Sequence, residues 1–213
     1  IVDLVREHPN EVRILTFGPL TNVAMAFDLD PDLPLLLNGL ICLGGVMRQS
    51  GDVTPTSEFN FWSDPQAART VMRSPVGKIL MPLDVCNDPG LTFDDIDRLS
   101  GLIPSTPVGE FMIGLMQFAV RANRQFLPRE EVPIPAAAVM AVAAQAAKFI
   151  TENVALDVET TGELTSGMTI ADRRPYGTRQ TNAEVVTQID APAVIDYFCR
   201  GVRRIAVSSE GRS

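Results

Sequence analysis

A chain of 213 residues with 46% hydrophobic side chains is enough for one core, since single cores stop growing near roughly 250–300 residues. Lys and Arg total 18 against 26 Asp and Glu, and the resulting net charge of −8 repels phosphate backbones and anionic membranes, which argues against nucleic acid or a lipid surface as partner. No stretch reads as a membrane span of about 18 apolar residues. The nearest candidate, residues 134–150, is alanine-rich, contains Gln145 and Lys148, and reads as a buried helix. Cys42, Cys86 and Cys199 are widely spaced and form no Cys-x-x-Cys pair, the pattern of reduced, buried thiols in a cytoplasmic protein.

A helical pattern (Ile1, Val2, Leu4, Val5) begins at once, and because a domain rarely starts within an element, further sequence is expected before Ile1. Residues 12–17 read as a buried strand, Gly18-Pro19 as a turn, and Thr21 as the cap of a helix running to Phe27. An apolar run over 35–43 ends at Gly44-Gly45, and the polar, Gly- and Pro-punctuated residues 48–56 form a loop. Pro65 opens a helix to about Arg73, and 78–83 is a strand closing on Asp84. Helices follow at 93–99, capped by Thr92, at 111–126, and from Pro135. In the last third, 154–158, 169–172 and 185–189 read as strands, and 191–202 as a closing helix.

Strands alternating with helices predict a single α/β domain over 1–213, with a Rossmann-like, mostly parallel central sheet flanked by helices and extended by the C-terminal strands. In such sheets ligands sit outside the carboxyl ends of the strands, which directs attention to the loops beginning at Gly18, Gly44 and Asp84. No Gly-x-Gly-x-x-Gly or Walker loop is present, so a nucleotide cofactor is not expected.

The most informative stretch is Gly51-Asp52-Val53-Thr54-Pro55-Thr56-Ser57-Glu58-Phe59-Asn60-Phe61-Trp62-Ser63-Asp64-Pro65. A carboxylate beside a carboxamide can grip vicinal hydroxyls, each of which needs a donor and an acceptor, and neighbouring aromatic rings would dry such a site. The plainer alternative is a surface loop whose polar groups cap the next helix, as Asp64 before Pro65 is placed to do.

This stretch resembles the Gly-Asn-x-Thr-Pro-x-x-Glu-Phe-Asn-x-x-x-Asp-Pro segment of the inosine–uridine-preferring nucleoside hydrolases. Two further stretches are similar to that family in the right order: Gly18-Pro19-Leu20-Thr21-Asn22, and Val158-Glu159-Thr160-Thr161-Gly162-Glu163-Leu164-Thr165-Ser166-Gly167 with Asn182-Ala183 beyond it. The resemblance implies hydrolysis of the N-glycosidic bond of a ribonucleoside, as in nucleoside catabolism, through an oxocarbenium-like state with a calcium ion. It implies that Glu58 and Asn60 bind ribose hydroxyls and act in catalysis, that Phe59 lines the sugar pocket, and that Thr21 offers its backbone carbonyl to the calcium. Asp52 stands where the family has a ribose-binding Asn and keeps the acceptors without the donor. The expected partner is a small nucleoside or ribose, and the expected assembly a homo-oligomer, dimer or tetramer.

Two departures stand out. The family's Asp-x-Asp-x-x-x-Asp-Asp motif, which supplies calcium ligands and the water-activating carboxylate, is nowhere in the sequence. The family's Pro-Leu-His-Asp-Pro is represented by Pro133-Ile134-Pro135-Ala136-Ala137, where Pro135 cannot protonate a base and Ala136 cannot bind metal. Calcium takes roughly six to eight oxygen ligands, so the metal site is short of carboxylates. This chain alone is therefore expected to be inactive, and the alternative reading is a catalytically inactive ribosyl-binding or structural homologue. Glu130 and Glu131 are the nearest substitutes but read as a solvated pair; His8 reads as structural, Asp94, Asp95 and Asp97 as the acidic start of a helix, and Asp172-Arg173-Arg174 as a salt-bridged turn.

Overall fold

The structure, a computed structural model, describes residues 1–126, 130–174, 176–177 and 180–208. In chain order the elements are α1 (Val2–Glu7), β1 (Ile14–Thr16), α2 (Thr21–Leu29), α3 (Leu33–Leu36), β2 (Leu40–Leu43), α4 (Phe59–Ser63), α5 (Pro65–Arg73), β3 (Lys78–Met81) and α6 (Leu83–Cys86). There follow β4 (Gly90–Leu91), α7 (Phe93–Ser100), α8 (Pro107–Phe126), β5 (Val132–Pro133), α9 (Pro135–Ala143), β6 (Phe149–Val158), β7 (Thr169–Asp172), β8 (Ala183–Ile189) and α10 (Ala191–Ser208). The chain divides into two compact units, one of Ile1–Cys86 with Phe149–Ile189, the other of Asn87–Lys148 with Asp190–Ser213.

The first unit holds a six-stranded sheet in the order β1-β2-β3-β8-β6-β7. Strands β1, β2, β3 and β8 are parallel, with Ile14 beside Leu40 and Leu40 beside Lys78. β6 joins β8 antiparallel, with an irregularity between Ile150 and Thr151, and β7 closes antiparallel on β6. The fold is thus the mostly parallel α/β sheet expected. One face packs Leu40, Cys42, Leu80, Leu156 and Val185 against α2 and α5 through Val23, Phe27, Ala68, Val71 and Met72. The opposite alternation, Ile41, Met81 and Val186, is buried as well. Burial on both faces is why these strands read as continuous apolar runs rather than as alternating ones.

Several boundaries differ from expectation for local reasons. The run 35–43 splits into α3 and β2: Leu37 is already extended, and Gly39, with φ of 109°, turns the chain into β2. β3 stops at Met81 because Pro82 has no N–H for the ladder, and a short helical turn follows. β6 begins five residues earlier than the apolar pattern suggests, since its half 149–153 is only partly buried and its polar residues hid the strand. Thr21 is the first residue of α2 rather than its cap; Leu20 occupies the cap position without a side-chain bond.

In the second unit, α7 starts at a capping box in which the Thr92 hydroxyl accepts from Asp95 N–H, and the Asp95 carboxylate accepts from Thr92 N–H at 3.0 Å. Leu91, Ile96, Leu99, Met116, Val120 and Val202 form its core. α8 begins at Pro107, four residues before the expected start, and Pro135 opens α9 as expected.

Candidate active site

Because β1, β2 and β3 are parallel, the loops that follow them leave the same sheet edge. The second of these, residues 44–58, carries the chemistry. Gly44 N–H donates to the Met81 carbonyl at 3.1 Å, carrying the β2–β3 pairing one residue past the strand. Gly45 then turns with φ of 71°, and a Cβ there would lie 2.4 Å from Thr169 Oγ1. A Cβ on Gly44 would lie 2.7 Å from the ring of Phe61, which is fully buried beneath the pair. Only glycine fits either place.

Glu58 caps α4, is 5% exposed, and its Oε2 accepts from Gly45 N–H at 2.8 Å and from Phe61 N–H at 3.3 Å. Burial pushes its carboxyl above the ordinary carboxylate range, opposed by the N–H groups of Asn60, Gly45 and Phe61 and reinforced slightly by the charge of Asp52. Asn60 is 4% exposed, and its Nδ2 donates to the Leu43 carbonyl at 2.9 Å. With one of its two Nδ2 hydrogens so tied, Asn60 has a second N–H and its carbonyl oxygen with which a hydroxyl could be met. Phe59 and Trp62 are about half exposed. The exposed Asp52 accepts from Phe59 N–H through Oδ1 at 2.9 Å, so one of its oxygens is used in shaping the segment.

A second loop holds this segment from behind. Ser57 Oγ donates to the Ser166 carbonyl at 2.6 Å and Thr56 Oγ1 to the Leu164 carbonyl at 2.8 Å. Gly167, with φ of 82°, lies so close to the Trp62 backbone that a Cβ would approach its Cα to 2.6 Å. The Glu159 carboxylate accepts from the N–H groups of Thr160, Thr161 and Gly162, which closes this loop on itself and holds the carboxyl below its ordinary range. None of these contacts, 108 to 109 residues apart for the two hydroxyls, is foreseen from the sequence. The only available signal was the run of small and hydroxylated residues in both stretches.

Thr21 stands after β1, at the same sheet edge, and its hydroxyl donates to Asp64 Oδ2 at 2.5 Å. Asp64 Oδ1 accepts from Ala67 N–H at 3.0 Å, so the expected cap of α5 is present and both its oxygens are engaged. His8 ends α1. In the second unit, Pro135 and Ala136 open α9, while Glu130 and Glu131 are exposed, with Arg124 3.5 Å from Glu130. Among the described residues no group of three or more His, Cys, Asp or Glu could hold a metal ion. Arg174 pairs with Asp172 at 2.7 Å, as the turn reading expects, whereas Arg173 reaches Glu152 at 2.9 Å. Cys42 and Cys86 are buried, but Cys199 is only partly so.

A carboxylate and a carboxamide, both buried and both anchored to main chain, thus stand together at the carboxyl edge of a parallel sheet in an α/β protein. The chain belongs to the inosine-uridine preferring nucleoside hydrolase family, whose profile matches residues 1–196. It is 28% identical over 200 residues to the pyrimidine-specific ribonucleoside hydrolase RihA of Salmonella arizonae, covering 93% of this chain and 63% of that protein. Among solved structures, a purine-preferring ribonucleoside hydrolase from Gardnerella vaginalis matches with a TM-score of 0.83 at 24% identity, over 96% of this chain and 64% of that one. An inosine-guanosine nucleoside hydrolase matches with a TM-score of 0.74 at 26% identity, over 90% of this chain and 60% of that one. The chain thus spans under two thirds of the length of these relatives. Among the described residues no helix is long and apolar enough to cross a membrane.

Proposed function

We propose that this chain carries the ribose-recognition part of a ribonucleoside hydrolase, the enzyme class that cleaves an N-glycosidic bond to give ribose and free base. The observation that carries the reading is the buried Glu58–Asn60 pair, held by backbone bonds at the carboxyl end of β2. In this role Glu58 and Asn60 accept hydrogen bonds from vicinal hydroxyls, Phe59 covers the sugar, and Asp52 contributes its second oxygen. The negative charge of Glu58, in a site of low dielectric, also stabilises positive charge that develops on the ribosyl ring as the bond to the base lengthens. A grip that addresses only the sugar is compatible with relatives named for purines and for pyrimidines alike.

The family is metal-dependent in general, and calcium is the ion its sequence pattern implies. The donors near Thr21 do not fit such an ion. Calcium calls for roughly six to eight oxygens, whereas the nearby Asp64 already accepts from Thr21 and Ala67 with its two oxygens. A cytoplasmic homo-oligomer, dimer or tetramer, is the proposed setting; three cysteines that form no disulfide support the compartment and the exposed α8 stripe of Phe111, Leu115 and Phe118 supports self-association.

The test is thermal: ribose or a ribosyl iminosugar at a hundredfold excess over its dissociation constant should stabilise the fold by about 2.7 kcal/mol, and Glu58→Ala should abolish the effect. No protection of wild type at millimolar ligand would sink the sugar-site reading. A second reading, a homologue that binds but does not turn over, is favoured by Pro135-Ala136 at the start of α9. Cleavage of an aryl riboside by this chain would reject it.

A further inference from the structure

The loop after β3 faces the loop after β2, and the two are bonded together over a longer path than the strands require. Gly44 N–H donates to Met81 O at 3.1 Å, and Leu83 N–H returns a bond to Gly45 O at 2.9 Å. One residue on, the Asp84 carboxylate collects three consecutive main-chain donors: Met47 N–H on Oδ2 at 2.7 Å, and Arg48 and Gln49 N–H on Oδ1 at 2.7 and 3.0 Å. Three successive N–H groups turned toward one point form a concave donor nest, which only an anion satisfies well. The nest begins two residues beyond Gly45, whose own N–H holds Glu58 Oε2. Without the carboxylate, three polar N–H groups would turn to water, and the 47–49 backbone would lose the anchor that continues those of Gly45 O on Leu83 N–H and of Val46 N–H on Thr169 Oγ1.

We infer that Asp84 is a positioning residue for the sugar grip: by filling the 47–49 nest it sets the orientation of Gly45 N–H and hence of the Glu58 carboxylate. This rests on the proposed ribose site for its functional consequence, though not for its geometry. Asp84 acts through the backbone and does not itself touch the sugar. Its carboxylate charge matters because the bonds are charge-assisted. The amide of Asn could serve the two donors that share Oδ1 but would set an NH2 group against Met47 N–H.

The experiment compares wild type, Asp84→Asn and Asp84→Ala by two measurements. The first is the titration of Glu58 followed by carboxyl carbon resonance without ligand. Loss of the Gly45 donor should move its midpoint further up, most in Ala and less in Asn. The second is calorimetric titration with ribose, where Asp84→Ala should weaken binding by about 10- to 100-fold with Asn between. If Asp84 only stabilises the fold, both variants lose melting temperature while the Glu58 midpoint and the ribose affinity stay at wild-type values, and the inference is overturned. Should wild type bind no ribose, the sugar-site reading fails, and the Glu58 midpoint alone still decides whether Asp84 positions it. Should Asp84→Ala fail to fold, Asp84→Asn carries the comparison.

Discussion

Lys78 opens β3 yet is only 5% exposed, an unusual place for an ammonium group. Its Nζ donates to the carbonyls of Ser74 and Asn182, each at 2.9 Å, tying the end of α5 and the residue before β8 to the start of β3. Burial pulls its pKa from 10.5 to about 8, with a small opposing contribution from Cys42. The folded state therefore releases this proton more readily than the unfolded chain, which binds more protons between pH 8 and 10.5. Stability must then rise with pH across that window and lose the contribution below it. At 1.36 kcal/mol per pH unit, the interval amounts to roughly 3 kcal/mol. Urea unfolding of wild type and Lys78→Met from neutral to alkaline pH, both in a Cys42→Ala background, isolates this contribution, because Cys42 is the titrating group coupled to Lys78 and the others cancel in the difference. Wild type should gain on the variant by roughly 3 kcal/mol over the window. Two parallel stability curves would refute the reasoning and mean that Lys78 keeps its charge hydrated in the fold.

Other outcomes follow from the site. Protonation of Glu58 removes an acceptor, so ribose affinity should fall as pH drops through a value above 4.5, and calorimetry over a pH series should lose that dependence in Glu58→Gln. For stability the sign is opposite: a raised carboxyl binds its proton more tightly when folded, so the contribution of Glu58 declines as pH rises through the same window. Gly45→Ala forces a side chain into the left-handed region and against Thr169, and should lower urea stability by roughly 1–3 kcal/mol while erasing ribose protection. Calcium titrated into this chain should give no binding in the micromolar range; a micromolar dissociation constant would show that donors other than the Thr21 carbonyl and Asp64 assemble a site.

The parallel sheet was legible because its strands are apolar on both faces and separated by helical patterns, and Asp64 as a cap because Pro65 follows it. Glu58 and Asn60 stood out through spacing and family likeness. Their anchoring was not legible, since Gly45 and Leu43 bind them 13 and 17 residues back across a loop with no periodic pattern. The same holds for Asp84, whose partners lie 35 to 37 residues away, and for Ser57 and Ser166. A hydroxyl or carboxylate that satisfies distant main chain leaves no trace in local composition. Thr21 misled for the converse reason: hydroxyl residues before a helix usually cap it, and here the hydroxyl found Asp64 instead.

The chain contains one tryptophan, and it sits in α4, two residues beyond Asn60. Trp62 N–H donates to the Glu58 carbonyl at 2.8 Å, Gly167 lies against its backbone, and the side chain is about half exposed. Its emission therefore comes from the Glu58–Asn60 segment and from nowhere else in the chain, which gives the protein a built-in optical reporter. A shift in tryptophan fluorescence reads loop rearrangement or occupancy without labelling, while circular dichroism follows the helices and strands of both units. Comparing the two signals during unfolding tells whether the segment around Glu58 loosens before the sheet that carries it.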